Sequence, residues 1–224
     1  LLIDHAWGWE PCTIAAIKDY RPKNSSLSSG QVLPEPYPHE KARLIVREMA
    51  DQLSLELVEK GLVCSQFVLD IGYDAENLSA PAQQRSYHGL TKTDRYGRAV
   101  PAAAHGSVNL PVPASSARIL MQAAAEVFDR IADSRLSVRR VTVTAAGLLR
   151  QEEAQLGGGD QLDFFGNYAA HQQQKAELER ELSGQQAIVA LRRKYGKNVV
   201  LRGMDLQEGA TTKGRNGQIG GHKA

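Results

Sequence analysis

With 224 residues, 42% of them apolar and 23% charged, the chain has the composition of one large globular domain or of a medium domain with appendages, which excludes a fibrous or wholly disordered polypeptide. A net charge of +2 is too small to mark a nucleic-acid or membrane binder by itself, so the placement of the charges has to carry that question. Two cysteines in unlike contexts, Cys12 and Cys64, give no disulfide framework or metal spacing, and no apolar run approaches the about 18 residues of a membrane span; together they point to a reducing, cytoplasmic setting.

The chain opens LLIDHAWGWE, without Met or a basic stretch, so it does not read as a signal peptide; it reads as the interior of a longer protein. Residues 1–20 suggest a helical piece, a Trp-Gly-Trp break and a short helix over 13–20. Residues 21–30, RPKNSSLSSG, have linker composition and carry Arg21 and Lys23. A short strand is expected at 31–33. From His39 to Lys60, Ala42, Ile45, Val46, Met49, Leu53 and Leu57 form one helical stripe, and Gly61 is a stop signal. LVCSQFVLDIGY then alternates, with Phe67, Leu69, Ile71 and Tyr73 on one face and Gln66, Asp70 and Gly72 on the other. Residues 74–104 are a long polar excursion that includes YHGLTKTDRYGR. Alternation returns at 105–110, where Val108 and Leu110 oppose His105, Ser107 and Asn109. A second helical stripe follows, Ala117, Leu120, Met121, Ala124, Phe128 and Ile131. In SVRRVTVTA, Val141, Val143 and Ala145 oppose Arg140, Thr142 and Thr144.

The order strand, helix, strand, strand, helix, strand predicts an α+β split βαββαβ domain, in which two helices cover one face of a four-stranded sheet. The other sheet face is left open and polar, and a solvated face is its simplest reading. After Gly147 the pattern stops. Residues 150–166 are polar and Gly-rich, and 172–195 predict a surface helix ended by Gly196, with Glu177, Glu179 and Glu181 solvated. The final GATTKGRNGQIGGHKA is expected to be disordered, so the tail as a whole is largely flexible or helical.

No catalytic constellation stands out. The six histidines show no HxxxH or HExxH spacing, no serine sits in a GxSxG elbow, and the GGG at 157–159 neither follows a strand nor opens a helix. The open sheet face is a better candidate. Split βαβ sheets that read single-stranded RNA stack bases on strand aromatics, but here Phe67 and Tyr73 point to the apolar side, which disfavours an RNA-binding domain. Arg140, Thr142, Thr144, Ser107 and Asn109 suit phosphate oxygens instead. Lys92, Arg95 and Arg98 from the excursion and Arg21 and Lys23 from the linker would extend a sequence-blind, salt-sensitive grip.

Those segments resemble a known family. LLIDHAWGWEPCTIAAIKDYRPKNSSLSSGQVL resembles the end of the thumb and the following linker of Y-family translesion DNA polymerases, the UmuC/DinB kind. EKARLIVREMADQLSLELVEKGLVCSQFVLDIGYD, YHGLTKTDRYGRAVPAAAHGSVNLP and SVRRVTVTAAGLL resemble their little finger, and ALRRKYGKNVVLRGMDLQEGATTKGRNGQIGGHKA is similar to the closing segment of a UmuC-like branch. The resemblance implies a division into thumb end (1–20), linker (21–30), DNA-binding little finger (31–149) and tail (150–224). It implies primer–template DNA as a partner and a role in the SOS response to DNA damage. The family's Mg²⁺-binding carboxylates lie in a palm on the N-terminal side of these segments, so no catalytic residue, metal ligand or cofactor is expected in this chain. Its own capacity for nucleotide transfer is therefore left open. The alternative is a stand-alone adaptor that binds DNA and clamp without a polymerase attached; an upstream reading frame in phase, carrying strand-borne palm carboxylates, would distinguish the two.

The same resemblance gives a reading of QLDFF at 161–165. Family polymerases carry a short Gln-Leu-Asp/Ser-Leu-Phe-like peptide after the little finger that docks on the bacterial sliding clamp. Here Gln161 would enter a small polar pocket, Leu162 and Phe165 an apolar one, with Asp163 between them and Phe164 where the family often has Leu. An extended peptide with two or three apolar anchors, each contributing about 1.5–3 kcal/mol before its ordering cost, fits an affinity of about micromolar. The helix at 172–195, with Leu178, Leu182, Ile188, Val189 and Leu191, reads as an amphipathic helix resting on its own domain; the alternative is a docking element for another repair protein. If Phe164 and Phe165 serve the chain's own core, changing both to Ala will cost about 3–5 kcal/mol per ring and lower the melting temperature clearly. If they serve a clamp, melting will move by no more than about 0.5 kcal/mol in stability, while calorimetric binding to purified clamp is lost and is weakened by Gln161→Ala alone.

Overall fold

The computed structural model describes residues 6–8, 13–20, 26–79, 87–157, 168–219 and 222–223. A short helix, α1 (Ile14–Asp19), is capped by the Thr13 hydroxyl, which accepts from the Ala16 N–H at 3.1 Å; none of its residues is buried. Then come β1 (Ser26–Tyr37), α2 (His39–Lys60) and β2 (Leu62–Tyr73). A small hairpin, β3 (Thr91–Thr93) and β4 (Ala99–Pro101), precedes β5 (Ala104–Ala114), α3 (Ala117–Ile131) and β6 (Val138–Arg150). The chain closes with α4 (Gln151–Gly157), α5 (Tyr168–Tyr195), α6 (Thr212–Arg215) and a two-residue ribbon, β7 (Gln218–Ile219) and β8 (His222–Lys223).

The main sheet runs β1-β6-β2-β5 with every neighbouring pair antiparallel. Each half of the domain, β1-α2-β2 and β5-α3-β6, skips over one strand of the other half, so the two halves interleave. This is the expected α+β architecture. Both helices lie on one face, where Phe67, Leu69, Ile71, Val141, Val143 and Ala145 meet Ile45, Met49, Leu53, Leu57, Leu120 and Phe128, all essentially inaccessible. The period-2 and period-3.6 stripes of the sequence are what meet here. Gly61 ends α2 as anticipated: at φ +64° it takes the left-handed conformation and its N–H reaches the Leu57 and Val58 carbonyls. Cys64 is buried in this core, and burial pushes its thiol up to about 11, so it behaves as a small apolar residue. Among the described residues no helix is long and apolar enough to cross a membrane.

The first strand is longer than its sequence suggested. It begins at Ser26, and residues 26–30, expected as linker, pair with 142–146 of β6. Serine and glycine look like linker, but alternate positions of an edge strand need no apolar side chain on the open side. Pro34 and Pro36 fall where the register with β6 shifts, the position an edge strand leaves for residues without an N–H.

After β6 the helix expected at 172–195 rests on its own domain as anticipated, while Glu181 and the final segment depart from their expected solvation. α5 starts at Tyr168 and docks on α2 and α3. Gln185, 2% exposed, donates from Nε2 to Ser54 Oγ and to the Ser115 carbonyl, both at 3.1 Å. Glu181, expected to be solvated, accepts from the Ser116 hydroxyl at 2.6 Å and from the Arg118 N–H at 3.0 Å. It therefore sits at the N-terminus of α3, where unpaired amides and the helix dipole favour a carboxylate. The segment expected to be disordered folds back as well, as far as it is described. Glu48 of α2, 1% exposed, accepts from the Thr211 N–H at 2.9 Å and the Thr212 N–H at 3.4 Å, and Asp51 is held by Arg202 Nε at 2.6 Å. Composition suggested a polar tail; buried Glu48 gives its backbone amides, and buried Asp51 gives the Arg202 side chain, somewhere to bond.

Burial is the chief cause that raises the Glu48 carboxyl above its ordinary 4.5, outweighing the amides of Thr211 and Thr212, which lower it. The folded state thus binds a proton more readily than the unfolded chain, and this group's contribution falls as pH rises from about 4.5 through the raised native value. Glu48→Gln is expected to flatten that decline in urea-unfolding curves taken between pH 4.5 and 7.5. Glu48→Leu leaves the buried Thr212 N–H and the half-buried Thr211 N–H without this acceptor and should cost about 1–3 kcal/mol for the first and less for the second, with earlier proteolysis after residue 196.

Candidate nucleic-acid interface

The face opposite the helices is laid out in rungs by the register of the four strands. One rung holds Ser28, Thr144, Val68 and Ser107; the next holds Gly30, Thr142, Asp70 and His105; a third holds Val32, Arg140 and Gly72. Side chains here are short. Thr144 Oγ1 and Ser28 Oγ lie 2.7 Å apart, Gln66 Nε2 donates to Asn109 Oδ1 at 3.1 Å, and His105 Nδ1 lies 2.7 Å from Asp70 Oδ1. A Cβ at Gly72 would come within 3.2 Å of Arg140 Cβ, and one at Gly30 within 3.2 Å of Thr142 Oγ1. Glycine at these two positions keeps the face flat beside the arginine.

The β3–β4 hairpin turns this face into a groove. Asp74 and Asn77 pin the turn after β2 to the start of β6: the Asn77 amide donates to the Asp74 and Ser137 carbonyls at 2.9 Å each, and the Ser137 N–H returns a bond to Asn77 Oδ1 at 2.8 Å. β4 packs on that turn. The hairpin tip is organised by one carboxylate. Asp94 accepts from the Tyr96 and Arg98 N–H groups, both at 2.9 Å, and from Arg98 Nε at 2.9 Å, while Gly97 takes φ +79°. The Arg98 backbone bond, first among these, holds the Asp94 carboxyl below its usual range. The result presents Tyr96, 67% exposed, with the Arg95 and Arg98 guanidinium carbons 4.7 and 5.3 Å from its ring centroid.

Between hairpin and sheet lies an open groove of about 1240 Å³. It brings together Arg95, Arg98, Arg140 and Thr142 of the sequence-derived set. Ser107, Asn109 and Thr144 lie on the same face beyond its lining, Lys92 is exposed on β3 away from it, and Arg21 and Lys23 lie outside the described residues, as do Gln161, Leu162, Asp163, Phe164 and Phe165. Arg139 and Tyr96 line the groove and were not anticipated. Arg139 adjoins Arg140 in the sequence; Tyr96 lies in a polar excursion with no strand pattern to place it.

The groove's charge is balanced. Its four arginines face Asp70, Asp74, Glu76 and Asp94, with Arg98 paired to Asp94 at 2.7 Å and Arg139 near Asp74 at 3.6 Å. Arg140 and Arg95 have no ion-pair partner among the described residues. What the surface offers an anion is thus two unpaired guanidiniums beside small donors, rather than a strongly positive field. Among the described residues no three His, Cys, Asp or Glu side chains converge on a metal-sized site; the carboxylates face arginines and backbone amides instead.

A family model for the impB/mucB/samB family C-terminal domain matches residues 24–158, which span the whole sheet and both of its helices. The chain therefore belongs to that family, and the matched domain is the C-terminal region of Y-family polymerases of the UmuC/DinB kind. No curated protein sequence matches the chain.

Asp94→Ala removes the acceptor for three donors at the hairpin tip. Amide exchange at Tyr96 and Arg98 and tryptic cleavage after Arg95 and Arg98 should both accelerate, while the global melting temperature, set by the distant core, stays within about 2 °C. A tip unchanged in exchange would show that Asp94 does not organise it.

Proposed function

We propose that this chain is the DNA-gripping C-terminal portion of an error-prone translesion polymerase that acts in the cytoplasm during the SOS response to DNA damage. In this reading the open sheet face and the hairpin hold primer–template DNA by its phosphates, and the 161–165 peptide engages the sliding clamp. Nucleotide transfer, with its Mg²⁺, belongs to a palm that the described residues do not supply.

The observation that carries the reading is Arg140: an exposed guanidinium lining the groove together with Arg95 of the hairpin, without an ion pair among the described residues and with Gly72 and Thr142 beside it on the sheet. Phosphate oxygens take bidentate bonds from such a group, while hydroxyls and exposed amides supply neutral donors at its side. Small side chains along the rungs let a sugar-phosphate backbone approach. No base edge is addressed, which suits a polymerase that must move along any sequence. The balanced charge suits a weak, releasable grip that a clamp tether would supplement.

The test is fluorescence anisotropy of a primer–template duplex at several salt concentrations. Arg140→Ala should weaken binding to different sequences alike and make the log-affinity versus log-salt slope shallower by about 1. Asp70→Asn should tighten binding by about two- to five-fold, because it removes a like charge from the path of the phosphates. An unchanged slope in the first variant, or weaker binding in the second, sinks the reading of this face.

A further inference from the structure

On the helical side of the molecule, away from the sheet face, α2, α5 and the returning C-terminal segment enclose a second cleft of about 480 Å³. It is the more positive of the two. Five cations line it against only two carboxylates, and those two are already engaged: Glu56 by Lys60 at 2.8 Å and Glu59 by Arg193 at 3.0 Å. Arg192, Lys197 and Arg215 are left with no ion pair among the described residues. Two of these, Arg192 and Arg215, are half-buried. Burial is the main cause that holds both Arg192 and Arg215 below the usual arginine range. The carboxylates that act on them lie outside the cleft lining: Asp51, which also pairs with Arg202, and Asp205 favour the charge of Arg192, and Glu48 favours that of Arg215.

The hydrogen bonding is incomplete in the same place. Arg192 donates through NH1 to Gln52 Oε1 at 2.9 Å and through NH2 to the Val200 carbonyl at 3.0 Å, but its buried Nε has no acceptor, and neither does buried Gln52 Nε2. Asp205 Oδ1 is also without a partner. A bridging water would answer the hydrogen bonds but add no negative charge to the cleft itself, whose lining carries five cations against two carboxylates. Half-buried cations carry a desolvation cost that carboxylates outside the cleft lining offset only in part, and an anion in the cleft would act on two guanidiniums together.

We propose that this cleft binds a phosphate-bearing ligand of about mononucleotide size, at a site separate from the sheet face. The volume lies within the range of small-molecule sites. Guanidinium forks match phosphate oxygens. A single carboxylate would neutralise one of three unpaired cations, whereas a pyrophosphate or nucleotide brings several charges into one small space. Arg192, Lys197 and Arg215 all lie beyond residue 158, so the site is formed by the chain's own C-terminal addition closing against the family domain.

The experiment titrates the full chain with inorganic pyrophosphate at constant ionic strength, by calorimetry and by thermal melting. One saturable site is expected, with a melting temperature that climbs with ligand concentration. Exposed Lys197→Glu should weaken binding at least tenfold with the ligand-free melting temperature unchanged, Arg215→Gln should weaken it too, and Arg140→Ala should bind like the parent. Displacement of pyrophosphate by a nucleoside triphosphate identifies a free nucleotide as the source of phosphate; displacement by a single-stranded oligonucleotide identifies the nucleic-acid backbone. Absence of saturable binding overturns the proposal, as does binding that survives in both Lys197→Glu and Arg215→Gln, binding lost in Arg140→Ala, or a cleft that takes poly-glutamate but not pyrophosphate.

Discussion

The structure depends on the double burial of α2. One side of this helix covers the sheet through Ile45, Met49, Leu53 and Leu57; the other carries Glu48, Asp51 and Ser54, all buried as well. A sheet and one neighbouring helix cannot cover both sides. The polar side is stable only because the later chain returns to it: Gln185 to Ser54, Arg202 to Asp51, and the amides of residues 211 and 212 to Glu48. Two carboxylates in a low-dielectric site would be strongly unfavourable without those donors. The C-terminal segment is thus not an appendage. Its backbone and one arginine are the counter-groups that α2 requires, and in docking there it walls off the second cleft.

The open sheet face follows the opposite logic. Its β1 edge and its central rungs keep small polar groups and glycines, and its charges sit mainly at the hairpin side, where arginines and carboxylates are matched almost one to one. Matched charge avoids the self-repulsion of a basic patch and leaves Arg140 and Arg95 as the groups with unspent valence. Arg130 meanwhile reaches round from α3 to the Ser107 carbonyl at 2.6 Å, which ties this cation to the β5 backbone. Such a surface has a low field at long range and specific donors at contact, a combination suited to weak holding rather than capture.

Much of this was legible in the sequence. The limits of α2 fell where periodicity and Gly61 put them, and the alternation in β2, β5 and β6 assigned Phe67, Leu69, Ile71, Val141 and Val143 to the core correctly. Arg140, Thr142, Arg95 and Arg98 were recognisable as one surface. What periodicity misses is long-range pairing. Glu48 and Asp51 are ordinary polar positions on an amphipathic helix until residues more than 150 positions later arrive. Ser26–Gly30 has linker composition, and only the pairing with β6 makes it a strand. Glu181 has the look of a solvated helix residue, and its role as the N-terminal partner of α3 is fixed by the docking angle of α5. The polar tail was misjudged for the same reason: composition measures what a segment can bury of itself, not what it can satisfy in another segment.

The anchoring of α5 also constrains the proposed clamp peptide. Gly157 ends α4, which continues directly from β6, and Tyr168 begins a helix whose residues 181, 185, 192 and 193 are fixed on α2 and α3. Ten residues join these two ends. At about 3.3–3.6 Å per extended residue, a loop that must go out and come back reaches no more than about 18 Å from its anchors. A peptide at a free C-terminus could search a much larger volume on a long tether. One held at both ends loses less conformational entropy on docking, because part of its freedom is already gone, and it holds any clamp close to the α4–α5 side of the domain.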